Sequence, residues 1–335
     1  MKEITIIMPV FNTGKVLHNT INCILKQTYT DWLLYLVDDG SNDGSAQVCD
    51  EYAKRDERIT VFHKKNGGIS DARNYALERT TTPFVTFCDH DDDYNPDLLS
   101  KAMNSIVNSD YDFVCFRYKI VYDDGTIKDS YYASDAKEYS VNFRTDFMRM
   151  YEKGLFHTVW SKVYRRDYLT ANNVKFDTSL KYGGEDIDFN LSLITKDCSA
   201  LYLNDFLYTH YIRGSLSTSA KIHLENASLF NRQIDKYHNV IDKLGIDINA
   251  YKEEYLSVYI SLFHLYSAYL PHLDLNFYEK KCRVRNFSDK DRIPKQLRNL
   301  TVIKKGFDKI LYSLHSCGMY GIVVTIFNIK CKAKK

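Results

Sequence analysis

The chain has 335 residues, enough for two domains or for one domain with a large extension. Hydrophobic residues make up 44%, ordinary for a globular chain, and 45 basic residues face 43 acidic ones, which excludes a polyanion binder by charge alone. Eight scattered cysteines form no CxxC pair and no zinc-like cluster, so they fit free thiols in a reducing cytosol.

Met1 to Pro9 is too short and too charged for a signal peptide. The β-branched run Ile4 to Val10 predicts a buried strand, and Val16, Leu17, Ile21, Ile24 and Leu25 give Lys15 to Gln27 a helical apolar face. Trp32 to Val37 predicts a second strand, ended by Asp38-Asp39-Gly40-Ser41, and Ser45 to Arg55 a second helix. Ile59 to His63 predicts a third strand, Ser70 to Glu78 a third helix, and Phe84 to Cys88 a fourth strand running into an acidic cluster. Such alternation implies a parallel sheet with crossover helices, whose ligands bind at the carboxyl ends of the strands. Farther along, Phe113 to Val121 and Leu201 to Arg213 read as extended, Phe143 to Met150 as a helix, and Asp186 to Asn190 as the start of another. Beyond about Ala220 the pattern is helical, which sets the expected boundary: a catalytic domain over 1–219 and a helical region over 220–335.

Three of the predicted strand ends carry residues capable of chemistry. Asp89, Asp91, Asp92 and Asp93 repel one another, and a divalent cation would relieve them; hard oxygen ligands suit Mg2+ or Mn2+. A solvated acidic loop explains the cluster equally well. Asp39 can accept a hydrogen bond from a base or a ribose hydroxyl, whereas Asn42 to Ser45 read as turn chemistry. Asn66-Gly67-Gly68 enters a helix and can bring backbone N–H groups to a phosphate, with Arg73 one turn in, although a surface arginine is the plainer reading. Glu185-Asp186 supplies either a general base or charges favouring a helix dipole. His210 becomes a metal-ligand candidate only if the fold returns it to the acidic cluster.

Taken together, Pro9-Val10-Phe11-Asn12, Gln27-Thr28-Tyr29, Val37 to Ser41, Asn66 to Gly68, Ala72-Arg73-Asn74, Asp89 to Asp92 and Gly184-Glu185-Asp186 resemble the family 2 glycosyltransferases, in family order, across about residues 4 to 215. The resemblance implies a GT-A fold, a Rossmann-like, mostly parallel sheet flanked by helices, with a helical C-terminal extension. It implies an inverting, metal-dependent hexosyltransferase (EC 2.4) using a nucleotide-diphosphate sugar, UDP-hexose or UDP-N-acetylhexosamine. Pro9, Phe11, Asn12 and Asp39 would hold the base; Gly67, Gly68 and Arg73 would lie near base and diphosphate. Asp89 would contact ribose or metal, Asp91 and His210 would bind Mn2+ or Mg2+, and Asp186 would be the catalytic base. Trp160-Ser161-Lys162 resembles a segment near the acceptor site, without an assigned role.

The acceptor the resemblance implies is a glycan or lipid-linked hydroxyl in surface polysaccharide synthesis, and no nucleic acid. A nucleotide-sugar binding module without catalysis is the alternative; it would lose acid or base groups, and this chain keeps Asp91 and Asp186. A nucleotidyltransferase would carry a glycine-rich basic loop after the first strand, and Pro9 to Lys15 fits that poorly. In the C-terminal region, Tyr251, Tyr255, Tyr259, Tyr266 and Tyr269 predict an aromatic helix face, read as packed core ahead of an acceptor platform. A basic stretch follows, from Lys280 to Arg298 and on through Lys304 and Lys305. The apolar run Gly318 to Ile329, followed by Lys330, Lys332, Lys334 and Lys335, falls short of the roughly 20 residues that span a membrane. It suits a membrane surface, slightly ahead of the alternative of a buried C-terminal helix with a solvated basic tail, and the membrane reading places the protein in the cytoplasm, peripheral at the inner face of the cell membrane. Oligomeric state is not legible.

Overall fold

The computed structural model describes residues 3–130, 136–180, 183–213, 229–287, 310–311, 313–314 and 317–333. The chain divides into two compact units, Met1–Ala220 and Lys221–Lys335.

The first unit opens with β1 (Ile4–Val10), α1 (Val16–Leu25), β2 (Trp32–Asp38), α2 (Ser45–Arg55), β3 (Ile59–His63), α3 (Ile69–Leu77) and β4 (Phe84–Phe87). All seven residues of β1 are buried, as a strand covered on both faces requires. It pairs in parallel with β2 and β4, and β2 pairs in parallel with β3. Leu17, Ile21 and Ile24 of α1 repeat every three or four residues and close over this sheet, joining Ile6, Met8, Leu34 and Leu36 in one core.

The next elements are β5 (Asp93–Tyr94), α4 (Leu98–Ile106), β6 (Phe113–Tyr122), β7 (Ile127–Asp129), β8 (Glu138–Val141), α5 (Phe143–Glu152), β9 (Lys162–Arg165), α6 (Arg166–Ala171), α7 (Glu185–Leu193) and β10 (Ala200–Ile212). Among the described residues they complete a ten-stranded sheet of order β3-β2-β1-β4-β9-β6-β10-β5, with β7 on β6 and β8 on β10. The short strand β9 runs antiparallel to both β4 and β6, while β10 runs parallel to β6. The result is a mostly parallel α/β sheet with antiparallel insertions. Register breaks after Leu203 and Phe206 bend β10, and Tyr208 and Thr209 then pair antiparallel with Tyr94 and Asp93. That pairing brings the end of β10 to the acidic cluster.

The second unit is helical: α8 (Leu229–Leu244), α9 (Lys252–Tyr269), α10 (Phe277–Phe287) and α11 (Tyr320–Ala333). Tyr255, Tyr259 and Tyr266 are buried, and Tyr255 stacks on Tyr237 of α8, so these three are packed core, while Tyr251 and Tyr269 are half-buried. The basic run from Lys290 to Lys305, together with Lys334 and Lys335, lies outside the described residues.

Candidate active site

At the end of β1 the chain turns sharply. Asn12 sits at φ 50°, its N–H donates to Ser41 Oγ at 3.1 Å, and its Oδ1 accepts from the Asn42 N–H at 2.9 Å. The Gly14 N–H donates to Asp43 Oδ2 at 2.9 Å. The first two strand-end loops are thereby tied together, and the Asn12 amide is a loop tie. Pro9 is buried in β1, whereas Phe11, just beyond the strand, is 46% exposed.

Asp39 follows β2 and is buried. Its Oδ1 accepts from Lys64 Nζ at 2.6 Å and from the Gly67 N–H at 2.9 Å; its Oδ2 accepts from the Gly68 N–H at 2.8 Å. The two glycine amides expected at a phosphate therefore fix Asp39 instead. Gly68 has a φ of 90°, which a side chain would strain, and Gly67 sits so close to Asp71 that a Cβ would meet its carboxylate at 2.2 Å.

Arg73 is not a surface residue. It is 1% exposed on the inner side of α3, where it joins three carboxylates. Nη1 donates to Asp186 Oδ1 at 2.7 Å and to Glu185 Oε1 at 3.2 Å, and Nη2 donates to Asp89 Oδ1 at 2.9 Å. The Phe176 ring lies 5.1 Å from the guanidinium. With three carboxylates on one guanidinium, Arg73 has little left for the diphosphate expected of it. The other Asp186 oxygen, Oδ2, accepts from the Val159 N–H at 3.2 Å. Burial raises the proton affinity of both Glu185 and Asp186, and the Arg73 charge opposes it. Glu185, Asp186 and Asp188 all lie in the first turn of α7, where the helix dipole favours negative charge.

The acidic cluster separates into distinct environments. Asp92 is fully buried and accepts from Tyr208 Oη at 2.7 Å, from the Tyr211 N–H at 2.9 Å and at 2.9 Å from His210 Nδ1. Burial pushes its carboxyl up to about 6, against the pull of His210. Burial works against the His210 imidazolium, yet the Asp92 carboxylate outweighs it and raises the imidazole above its ordinary value. Asp93 accepts from Tyr211 Oη at 2.8 Å, and Asp91 pairs with Arg213 Nη1 at 2.8 Å. The fold thus returns His210 to the acidic cluster, on Asp92. Among the described residues no group of three or more His, Cys, Asp or Glu side chains converges to hold a metal.

The segment before β9 joins the two halves of the site. Trp160 stacks on Tyr208 (ring centroids 4.3 Å apart) and on His210 (5.2 Å), with the edge of Tyr118 at 4.6 Å. Its neighbour Val159 supplies the amide on Asp186. Lys162, wholly buried, donates to Leu155 O at 2.7 Å and Thr158 O at 2.6 Å, and burial lowers its ammonium to about 8. Asn190 Nδ2 donates to Phe156 O and Thr158 O, both at 2.9 Å, so α7 grips the same turn.

Residues 5–171 match the description Glycosyl transferase family 2. The chain belongs to that family. A relative, the uncharacterized glycosyltransferase YibD of Escherichia coli, is 27% identical over 72% of this chain and 71% of its own length. The cholesterol galactosyltransferase of Borreliella burgdorferi is 27% identical over 77% of this chain and 73% of its own. Among solved structures, S. aureus TarS 1–349 in complex with UDP-GlcNAc superposes with a TM-score of 0.73 at 18% identity, covering 99% of this chain and 92% of that one. The fold is accordingly GT-A.

In this family 2 chain the structure gathers Asp39, Gly67 and Gly68 at one point and Arg73, Asp89 and Asp186 at a second; Asp91 and His210 share the cluster around Asp92. Sequence reasoning had no account of Lys162, of the Val159 amide, or of Glu185 as a partner of Arg73. A lysine followed at once by the apolar Val163 and Tyr164 of a strand was the available signal for the first. A backbone amide leaves no signal in sequence.

Proposed function

We propose that this glycosyltransferase inverts the anomeric centre of a nucleotide-diphosphate sugar as it moves that sugar to a hydroxyl of a glycan or lipid-linked acceptor in surface polysaccharide synthesis. The observation that carries this reading is the single arginine joining Asp186, at the mouth of α7, to Asp89, at the end of β4. A carboxylate gripped by Arg73 and the Val159 amide has a fixed direction, and burial makes it a stronger base than an exposed aspartate. In the proposed reaction Asp186 takes the proton from the acceptor hydroxyl. The hydroxyl oxygen bonds to the anomeric carbon, and the bond from that carbon to the diphosphate oxygen breaks with the electron pair leaving on the diphosphate. Attack from the opposite face inverts the configuration, without a covalent enzyme–sugar intermediate.

On the donor side, Phe11 offers an exposed ring beside the end of β1, fit to cover a base, and Asp39 stands at the adjacent strand end for its edge. A UDP-linked hexose or N-acetylhexosamine is the proposed donor; the TarS likeness with UDP-GlcNAc supports a uridine nucleotide. The relative named for cholesterol as acceptor supports a lipid-borne hydroxyl. Mn2+ or Mg2+ is the proposed cation, to be held by His210, Asp91 and Asp89 once donor phosphates supply the remaining ligands. His210 is held through Nδ1 by Asp92, which would leave Nε2 for a ligand, as in carboxylate–histidine–metal arrangements. Asp91 and Asp89 add hard oxygens, and one or two protein ligands suffice where donor phosphates complete the shell. The cation would supply charge neutralisation of the departing diphosphate. Arg213, on Asp91, adds a positive charge beside that position.

Nucleoside diphosphate release over a panel of sugar nucleotides, with and without manganese, tests the reading. Release from a UDP-sugar that depends on manganese and on an acceptor is expected. No turnover of any sugar nucleotide under those conditions contradicts it. The protein is proposed to work in the cytoplasm, peripheral at the inner face of the cell membrane; among the described residues no helix is long and apolar enough to cross a membrane.

A further inference from the structure

Helix α11 is apolar on two sides. Val323, Val324 and Phe327 are buried and form its inner side. Met319, just before the helix, and Ile322, Ile326 and Ile329 on it are spaced three, four and three residues apart, so they form one stripe along an outer side. Met319 is 48% exposed, Ile322 47% and Ile329 62%, with Ile326 half-buried between them. Phe277, at the start of α10, is 52% exposed; its ring lies next to Gly321, where a Cβ would come within 3.5 Å of it. It therefore extends the stripe sideways, next to the exposed Tyr278.

The charge of the sequence segment that carries this stripe is one-sided. Residues 276–335 carry fifteen Lys and Arg against four Asp and Glu, and no acid follows Asp308. The whole chain carries 45 against 43, so the rest is left acidic, at 30 against 39. Lys281, Arg283 and Lys330 are exposed on the two helices that bear the stripe. A patch of exposed aliphatic and aromatic side chains with Lys281, Arg283 and Lys330 on the helices that bear it, and Glu279 as the one acid among the described residues of those helices, matches a surface that is apolar beneath and anionic on top.

We propose that the stripe Met319, Ile322, Ile326 and Ile329, with Phe277, docks on an anionic lipid surface, α11 lying in the plane of the headgroups. This assignment rests on the peripheral-membrane reading of the second unit and names the face that makes the contact. The side chains enter the acyl boundary, and the lysines and arginines of α10 and α11 meet the headgroups. An acceptor carried on a lipid would then reach an enzyme already held at the same surface.

Flotation of the full chain with vesicles tests this without donor or acceptor. The expected result is binding to vesicles of phosphatidylcholine with phosphatidylglycerol, at least about tenfold weaker binding to phosphatidylcholine alone, and loss of the difference in high salt. The double variant Ile322→Glu/Ile329→Glu alters exposed positions only. It should lower partition by about tenfold or more at an unchanged melting temperature, since two aliphatic anchors are replaced by charges of the wrong sign. The variant Lys281→Glu/Arg283→Glu keeps the stripe and should weaken the preference for anionic vesicles. Binding of the wild type to neither vesicle overturns the peripheral reading and the face together. Undiminished binding of Ile322→Glu/Ile329→Glu overturns the face alone.

Discussion

Arg73 shows how far a residue's neighbours can change its meaning. In sequence it is a cation one turn into a helix beside a glycine loop, the pattern of a diphosphate ligand. In the fold it is buried with three carboxylates, and a lysine in its place would keep the charge but lose the two-pronged fit to Asp186 and Asp89. As the proposed base, Asp186 would act only when deprotonated, so activity should fall as pH drops through its raised affinity, with the acid limb above the ordinary aspartate value of about 3.9. Arg73→Lys should move that limb of kcat/KM to higher pH and lower kcat at neutral pH; an unmoved limb would show that Arg73 does not set the base. Asp39, Asp89 and Asp186 were legible as candidates because carboxylates at strand ends and a helix start form a recognisable pattern. Their partners were not: the Gly67 and Gly68 amides and the Val159 amide belong to the backbone, and any residue could supply them.

Lys162 gives a second test at this scale. Burial holds its ammonium at about 8 in the folded chain against an ordinary 10.5. Between those values the unfolded chain binds the proton more tightly, so stability rises as pH climbs from about 8 to about 10.5. The rise amounts to about 3 kcal/mol on the scale of one pKa unit per 1.36 kcal/mol. Urea midpoints of Lys162→Met measured across this window should lack the rise; curves parallel to the wild type would contradict it.

At the scale of elements, the first four strands and three helices were readable because each strand is a short β-branched run and each helix repeats its apolar face. The antiparallel entry of β9 between β4 and β6 was not, because strand–helix alternation describes only neighbours in sequence and β9 returns from 75 residues downstream of β4. That insertion matters for the site: the turn ahead of β9 places the Trp160 indole on His210 and the Val159 amide on Asp186. Trp160→Leu removes the stack from both His210 and Tyr208. It should cost about 3 kcal/mol of stability, as large-to-small changes in a core do. It should also raise the manganese concentration that half-saturates activity, because the imidazole loses its rigid backing. Urea unfolding and a manganese titration of the same preparation read the two effects; a stability loss with an unchanged titration would confine Trp160 to packing.

For the whole molecule, the balanced charge of the sequence conceals a division: an acidic chain up to residue 275 and a basic remainder. The helical character of the second unit was legible from periodicity. Which side of α11 packs and which faces outward was not, because both sides are aliphatic and only the neighbouring helices decide between them.

The central claim is that Asp186 removes the acceptor proton, and the Asp186→Asn variant examines it most directly. Asparagine keeps the size and a hydrogen bond to the Val159 amide but cannot act as a base. With folding confirmed and donor binding measured separately by calorimetry with UDP-GlcNAc, sugar transfer should fall by about a hundredfold or more while donor affinity changes little. A folded, donor-binding Asp186→Asn enzyme that transfers sugar at the wild-type rate would contradict the account.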